Sequence, residues 1–428
     1  MTAVHHFLSP TLHDWLVVLV FLVGYGCIIF EHKLGVNKTA FALLIAGGCW
    51  ILECMEPAWE NNLGELHHHL AEVSKIVFFL LGAMTIVETI HAHGGLNIVT
   101  RFMHIRSKTV SLWVMGFVTF FLSSVLDNLT STIVMVTMLK KIVRNHEDRL
   151  LFGAVTVIAA NAGGAWTPVG DLTTTMLWIG GQVTTWPLIR NLLLPSILCL
   201  VSSLTYFSFH IGGDHILPTF HEKDKMAPHG KLIFILGVSS LVSIPLFKSL
   251  IGLPPFMGMI LMLGVMWLVT EILHNKYHER NSLRISQLFS RLDISSMLFF
   301  LGILLAVAAL QTAGILQTMA VWLDKTFPSK ELISVILGVL SAVVDNVPLL
   351  AACMGMYNMQ QFPPDSVFWH LTAFTVGTGG SLLLIGSAAG VVFMSLEKVD
   401  FFYYLRKATV GALIGYLVGV ASILLLVG

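Results

Sequence analysis

Two long apolar stretches of this chain are interrupted at the same pair of residues. Asp127-Asn128 lies in SSVLDNLTST and Asp345-Asn346 in LSAVVDNVPL. Each pair is followed by a Gly-rich break, NAGGAWTPVGD from Asn161 to Asp171 and GTGGSLLLIGSAAG from Gly377 to Gly390. A carboxylate in the middle of apolar sequence is costly to bury, so a fold that does it twice must provide water, a counter-charge or both. The rest of the chain excludes a soluble solution. It is 56% hydrophobic and 11% charged, against about 25% charged residues in soluble domains. The expected class is therefore an all-α polytopic membrane protein. With 24 basic and 24 acidic residues and no basic stripe, nucleic acid is excluded as a partner, and the lipid bilayer is implied as one. Cys27, Cys49, Cys54, Cys199 and Cys353 form no C-x-x-C and read as small apolar fillers.

Hydropathy places ten full spans near 15–31, 39–54, 75–93, 150–186, 189–210, 231–249, 252–273, 295–313, 366–396 and 404–427. About 20 residues cross the hydrocarbon, so 150–186 and 366–396 are too long for straight helices. Each contains a Gly-rich break and reads as a discontinuous helix. The segments 109–143 and 330–361 carry the Asp-Asn pairs and read as two re-entrant hairpins; two short full crossings give the same loop parity, and charge does not separate these layouts. With this layout 19 of the 24 Lys and Arg fall in cytoplasmic loops. Only Lys75, Arg190, Lys248, Lys325 and Lys330 fall outside, where the 55–74 loop is acidic. The positive-inside rule then sets the orientation, with both termini external. MTAVHHFLSP has no Lys or Arg and so lacks a signal-peptide n-region, which makes a bacterial inner membrane the expected location.

The halves align. FFLLGAMTIVETIHAHGGL (78–96) resembles LFFLGILLAVAALQTAGIL (298–316), with Gly82 over Gly302 at an offset of 220. Asp127 falls over Asp345 at 218, and Gly163-Gly164 over Gly379-Gly380 at 216. The aligned spans run in opposite directions under the charge-derived topology, which predicts two inverted repeats, a recurrent plan of secondary transporters. The first repeat covers 1–212, a cytoplasmic linker 213–230, and the second repeat 231–428.

In such folds the binding site lies near the midplane, where non-helical backbone is tolerated because protein or water covers it. The breaks are rich in oxygen donors: Asp127, Asn128, Thr130, Asn161, Thr167, Asp171, Thr173 and Thr174 in the first half, Ser341, Asp345, Asn346, Thr378, Ser381 and Ser387 in the second. Carboxylate, amide and hydroxyl oxygens without thiolates or a His cluster suit a hard cation such as Na+ or Li+, with Asp127, Asn128, Asn161 and Asp171 as its principal ligands. Burial also favours the protonated acid, while a cation favours the carboxylate. H+ and Na+ then compete for the same oxygens, and competition with alternating access is sufficient for antiport. No P-loop or other cofactor motif is present, so none is expected beyond the transported ions. Asp at a hairpin tip also caps the helix that follows, and paired glycines also serve close packing; both readings are compatible with ion binding. Glu88, aligned with Ala308, reads either as a proton-path residue or as an interfacial acid, and His91 and His93 as sensors of cytoplasmic pH or as solvated interfacial groups.

At SSVLDNLTSTIVMV (123–136), NAGGAWTPVGDLTTTMLWIG (161–180), SAVVDNVPLLAA (341–352) and GTGGSLLLIGSAAG (377–390) the chain resembles the NhaD-type sodium/proton antiporters of the ion transporter superfamily. The resemblance extends over essentially the whole chain and implies exchange of Na+ or Li+ for H+ across a bacterial cytoplasmic membrane. It assigns ion-handling roles to Asp127, Asn128, Asn161, Asp171, Thr173, Thr174, Ser341, Asp345 and Asn346. Related carriers imply a homodimer whose transport domain moves against a scaffold. The alternative on the same architecture is a sodium-coupled dicarboxylate carrier or an arsenite exporter, which acidic tips disfavour. A passive channel would lack coupled counterflow, and an enzyme has no nucleophile, base or metal constellation here.

Overall fold

The structure, a computed structural model, describes residues 12–55, 59–96, 107–143, 145–211, 226–327, 329–399 and 401–427. Those residues are mostly helical, with no strand among them. In order, the principal helices are α1 (Leu12–Ile29), α2 (Lys38–Met55), α3 (Trp59–Ala92), α4 (Lys108–Leu126), α5 (Asn128–Ile142) and α6 (His146–Gly164). There follow α7 (Leu172–Gly180), α8 (Thr185–His210), α9 (Gly230–Ile251), α10 (Pro255–His274), α11 (Ile294–Thr312) and α12 (Ile315–Thr326). The last six are α13 (Lys330–Leu340), α14 (Asn346–Met356), α15 (Val367–Gly379), α16 (Ala388–Glu397), α17 (Phe401–Lys407) and α18 (Thr409–Leu426).

Among the described residues nine helices are long and apolar enough to cross a bilayer: α1 to α4, α8 to α11 and α18. They coincide with the spans expected from hydropathy, except that α4 forms one arm of an Asp-Asn segment. The 150–186 and 366–396 segments are each divided into two helices, α6/α7 and α15/α16. One expectation is corrected. The 55–74 segment is not all loop, because α3 already begins at Trp59; from there on its acidic and His-rich sequence is polar, yet beyond Pro57 it carries no proline and only Gly64 to oppose a helix. Most of the 213–230 linker, both termini, and Arg101, Arg106, Arg144, Lys223 and Lys225 lie outside the described residues.

The chain forms two compact units, and each draws on both halves of the sequence. The first comprises the residues up to Leu81, Asp293–Ile333 and Val347–Pro363. Its centre is the packing of α11 on α2. A Cβ at Gly302 would come within 2.7 Å of the Ala42 carbonyl carbon, so only glycine lets the helices approach this closely. Trp50 Nε1 donates to Leu305 O (2.8 Å) and Thr39 Oγ1 to Ser295 O (2.9 Å) along the same contact.

The second unit comprises Gly82–Leu292, Ser334–Asn346 and Pro364–Gly428. Here α4, α5 and α8 pack around α6, and α15 and α16 pack on the same helix. α6 is buried almost throughout from Leu150 to Gly164, which explains its lack of an amphipathic pattern: a helix surrounded by neighbours is apolar all round. Two polar ties join sequence-distant parts of this unit. Asp365, at φ 62°, accepts from Thr184 N (2.6 Å) and Thr184 Oγ1 (2.7 Å). Buried Glu397, at the end of α16, accepts from Arg149 Nε (3.3 Å) near the start of α6.

Candidate ion-binding site

A single residue separates α4 from α5. Asp127 adopts φ 74° and ψ 162°, a region occupied almost only by glycine, so the residue is strained. Its carboxylate offsets that strain by capping α5, with Oδ1 accepting from Thr130 N (2.7 Å) and Oδ2 from Thr130 Oγ1 (3.0 Å). The capping reading therefore holds for Asp127. The cap starts the helix at Asn128, whose buried amide donates to Asn161 Oδ1 (3.0 Å) and to Asp171 Oδ1 (3.2 Å).

α6 stops at Gly164 because Gly163-Gly164, Pro168 and Gly170 follow one another. Hydroxyls then take over the backbone groups that the break leaves unpaired. Thr167 Oγ1 donates to Ser124 O (2.7 Å), Thr175 Oγ1 to Pro168 O (2.8 Å) and Thr174 Oγ1 to Asp171 O (2.9 Å). Asp171 ends the break at the N-terminus of α7, and Thr173 Oγ1 donates to its Oδ2 (3.0 Å). Thr174 thus shapes the turn, while Asn128, Asn161, Asp171 and Thr173 form one connected cluster.

The second half of the chain completes that cluster. Asn161 Nδ2 donates to Ser381 Oγ (2.8 Å) and Ser387 Oγ (3.0 Å), which uses both amide hydrogens and turns Oδ1 toward Asn128. Gly377 of α15 leaves the space a side chain would fill: its Cβ would stand 3.2 Å from Asp171 Oδ2 and 3.4 Å from Thr173 Oγ1. Asn346 Nδ2 reaches Gly377 O at 3.5 Å, and its Oδ1 is buried without a partner. Ser341 Oγ is engaged by Gly338 O (2.7 Å) and Val376 O (3.0 Å), so it ties the end of α13 to α15 rather than facing the carboxylates. Asp345 is half-buried beside Asn346.

The contacts recur at the offsets found in the sequence. Ser123 Oγ donates to Ala160 O (2.6 Å), as Ser341 Oγ does to Val376 O, the donors 218 and the acceptors 216 residues apart. A Cβ on Gly163 would overlap Phe120 O, and one on Gly379 would overlap Gly338 O. A Cβ on Gly164 would meet Asp171 Cβ at 2.9 Å, and one on Gly380 would meet Ser387 Cβ at 2.9 Å. Asp171 (φ −143°, ψ 148°) and Ser387 (φ −137°, ψ 153°) share one backbone conformation ahead of α7 and α16. The breaks are alike in shape and unlike in charge, with a carboxylate at one and a hydroxyl at the other.

Electrostatics sets Asp171 apart. It is 3% exposed, Asn161 and Thr173 are fully buried, and among the described residues no Lys, Arg or His pairs with Asp171 or Asp127. The similarly buried Glu397 has Arg149 beside it. A buried carboxylate without a cationic neighbour is stable only if protonated or balanced by a bound cation. Four neutral oxygen-bearing side chains close by, from Asn128, Asn161, Thr173 and Ser387, suit a small hard cation as well as a proton. Glu88, His91 and His93 make their contacts elsewhere: Glu88 with His91 (3.5 Å), and His93 with His274 (2.9 Å).

The sequence counts Ser381 and Ser387 among the oxygen donors near the breaks but does not by itself assign them, or Gly377, to the ion cluster. The offset of 216 was a usable signal, since it sets Ser387 opposite Asp171 and Gly377 opposite Asn161.

Comparison with known proteins agrees in kind. A family model described as "Citrate transporter" matches residues 25–377. "Sodium/proton antiporter 1" of Arabidopsis thaliana is 51% identical over 426 residues, covering 99% of this chain and 74% of that protein. "Na(+)/H(+) antiporter NhaD" of Alkalimonas amylolytica is 30% identical over 457 residues, covering 97% of this chain and 91% of that protein. The chain belongs to the NhaD-type sodium/proton antiporter family. A second plant relative, "Sodium/proton antiporter 2" of Arabidopsis thaliana, is 51% identical and matched over 98% of its length. Family members thus come from both plants and bacteria, and the fold class is that of a multi-span membrane protein.

Proposed function

We propose that the chain exchanges Na+ or Li+ for H+ by alternating access, and that Asp171 is the group for which the two compete. The observation that carries this reading is the uncompensated carboxylate in its cage of amide and hydroxyl oxygens. With H+ on Asp171 the cluster is neutral and its hydrogen bonds persist. With Na+ or Li+ present the acid releases its proton, and the side chains of Asn128, Asn161 and Thr173 offer oxygen lone pairs to the cation. Asp127 contributes negative potential from the hairpin tip, and Asp345 with Asn346 do so from the opposing half. Each state cancels the buried charge and the doubly unoccupied state does not, which ties the movement of one ion to the movement of the other.

The recurring contacts at offsets of 216 and 218 support two inverted repeats, with the Asp-Asn segments as hairpins entering from opposite faces. The Lys and Arg distribution supports a cytoplasmic face bearing the ends of α3 and α10 and the starts of α4, α6 and α9, with both termini outside. A bacterial inner membrane and a homodimer complete the proposal. No catalytic step is required, and the chain acts as a carrier rather than an enzyme.

The "Citrate transporter" description of the family model favours one second reading, a sodium-coupled carrier of a di- or tricarboxylate. Purified protein in liposomes with an internal pH dye separates the two. Na+ or Li+ should dissipate a preformed pH gradient, and citrate, succinate and arsenite should not change the response. A response that requires an anion overturns the exchanger reading.

A further inference from the structure

The cluster around Asp171 leaves one buried group of titratable side chains unused. His93, just beyond α3, and His274, the last residue of α10, are both fully buried, with Nε2 atoms 2.9 Å apart. His93 Nδ1 lies 2.8 Å from Thr89 O. A carbonyl only accepts, so that nitrogen carries the hydrogen and His93 Nε2 presents a lone pair. The hydrogen between the rings therefore belongs to His274 Nε2, and His274 Nδ1 is left as a buried acceptor with no partner. The pair is a tie between segments: His93 O also accepts from Ala227 N (3.1 Å), and a Cβ at Gly230 would lie 2.5 Å from that oxygen. The end of α3, the turn entering α9 and the end of α10 are thus held at one residue. Among the described residues no group of three or more His, Cys, Asp or Glu is placed to hold a metal, so the pair is read through its protons.

We propose that His93 and His274 form a proton-operated clasp that limits exchange when the cytoplasm is acidic; this rests on the orientation proposed above, which puts the clasp on the cytoplasmic side. The neutral pair has one hydrogen between two nitrogens and is closed. An added proton has two places to go. On His93 Nε2 it sets two N–H groups against each other. On His274 Nδ1 it makes a buried cation with an N–H that finds no acceptor. Either proton is accommodated when the rings separate and reach water. The surroundings favour opening. Arg280 beyond α10 adds positive charge, His229 on the turn before α9 does so when protonated, and among the described residues Glu271 of α10 is the one acid facing His274 and is paired with Arg284. On α3, Glu88 is paired with His91 (3.5 Å). Opening frees the junction of α3, α9 and α10, and the helix movements of transport slow.

Proton competition at Asp171 and the clasp leave different kinetic signatures. Competition raises the Na+ concentration needed for half-maximal rate and vanishes at saturating Na+; an open clasp lowers the maximal rate. The test is the maximal rate of 22Na+/Na+ exchange in liposomes, with equal pH on both sides, from about pH 8 to about pH 6, the range in which imidazole titrates. Wild type should lose roughly fivefold or more across that range, while His274→Gln, which still donates to His93 Nε2 and does not titrate there, should lose less than about twofold. Superimposable profiles overturn the clasp. A second measurement needs no substitution: 15N spectra of histidine-labelled wild type should show an N–H···N coupled ring pair that is neutral at the alkaline end and uncoupled at the acid end. A pair that stays coupled throughout, or no coupled pair at any pH, overturns the clasp. The spectra read the rings whether or not ions are exchanged, whereas wild type that exchanges nothing at any pH counts against the exchanger reading alone.

Discussion

Substituting Asn for Asp171 keeps the shape of the ion cluster and removes its charge. In the native cluster Oδ1 accepts from Asn128 and Oδ2 from Thr173. An Asn side chain can face its oxygen toward Asn128 and its NH2 toward Thr173 Oγ1, since a hydroxyl can rotate from donor to acceptor. Both hydrogen bonds survive in neutral form, and the desolvation cost of a buried carboxylate disappears, so the fold should change by no more than about 1 kcal/mol. Ion binding responds quite differently. A unit charge about 4 Å from a monovalent cation contributes roughly 4 kcal/mol at an effective dielectric constant near 20, which corresponds to about a thousandfold in affinity. D171N protein should therefore retain its melting temperature in detergent while Na+-driven dissipation of a pH gradient in liposomes falls below detection. D171E restores the charge on a longer stem and should recover part of the activity. The reasoning is refuted if D171N exchanges Na+ for H+ at a rate near wild type, or if activity is lost only because the protein no longer folds.

Asp127 combines a structural and an electrostatic role, and two substitutions separate them. D127N keeps a good N-cap, so its melting curve should match wild type while exchange is lost; D127A should in addition lose about 1 kcal/mol for the cap. Gly379→Ala would force a methyl group onto Gly338 O and to 2.5 Å from Ser341 Oγ, and should cost more than the roughly 1–3 kcal/mol of ordinary overpacking. Gly64→Ala meets nothing within 4 Å and should stabilise by about 0.5–1 kcal/mol if 59–74 is helical as observed; differential scanning fluorimetry reads both.

Much of the fold was legible because lipid-spanning sequence is simple. Charge and proline are scarce inside a span, so the limits of α1, α2 and α8 to α11 follow hydropathy within a few residues. The breaks were legible from Gly163-Gly164, Pro168 and Gly379-Gly380, whose chemistry opposes a straight helix at any depth. The helical start of α3 was not, since WENNLGELHHHLAEVS is too polar to score as a span and carries no capping signature that separates it from a loop. Site membership was legible where a residue type is improbable in its setting, as with Asp127, Asn161 and Asp171. It was not legible where an ordinary residue acts through a distant partner. Ser381 and Ser387 are common residues whose importance lies in meeting Asn161 across 220 and 226 positions of sequence. His93 and His274, 181 positions apart, escaped pairing for the same reason.

The central claim is that one cation and one proton exclude each other at Asp171, and counting protons on cation binding tests it most directly. Purified protein in weakly buffered detergent solution at about pH 7 should release H+ when Na+ or Li+ is added. The release should saturate with cation, be absent with K+-free choline, and vanish in D171N. Saturable Na+ binding with no proton released, or release undiminished in D171N, would contradict the account.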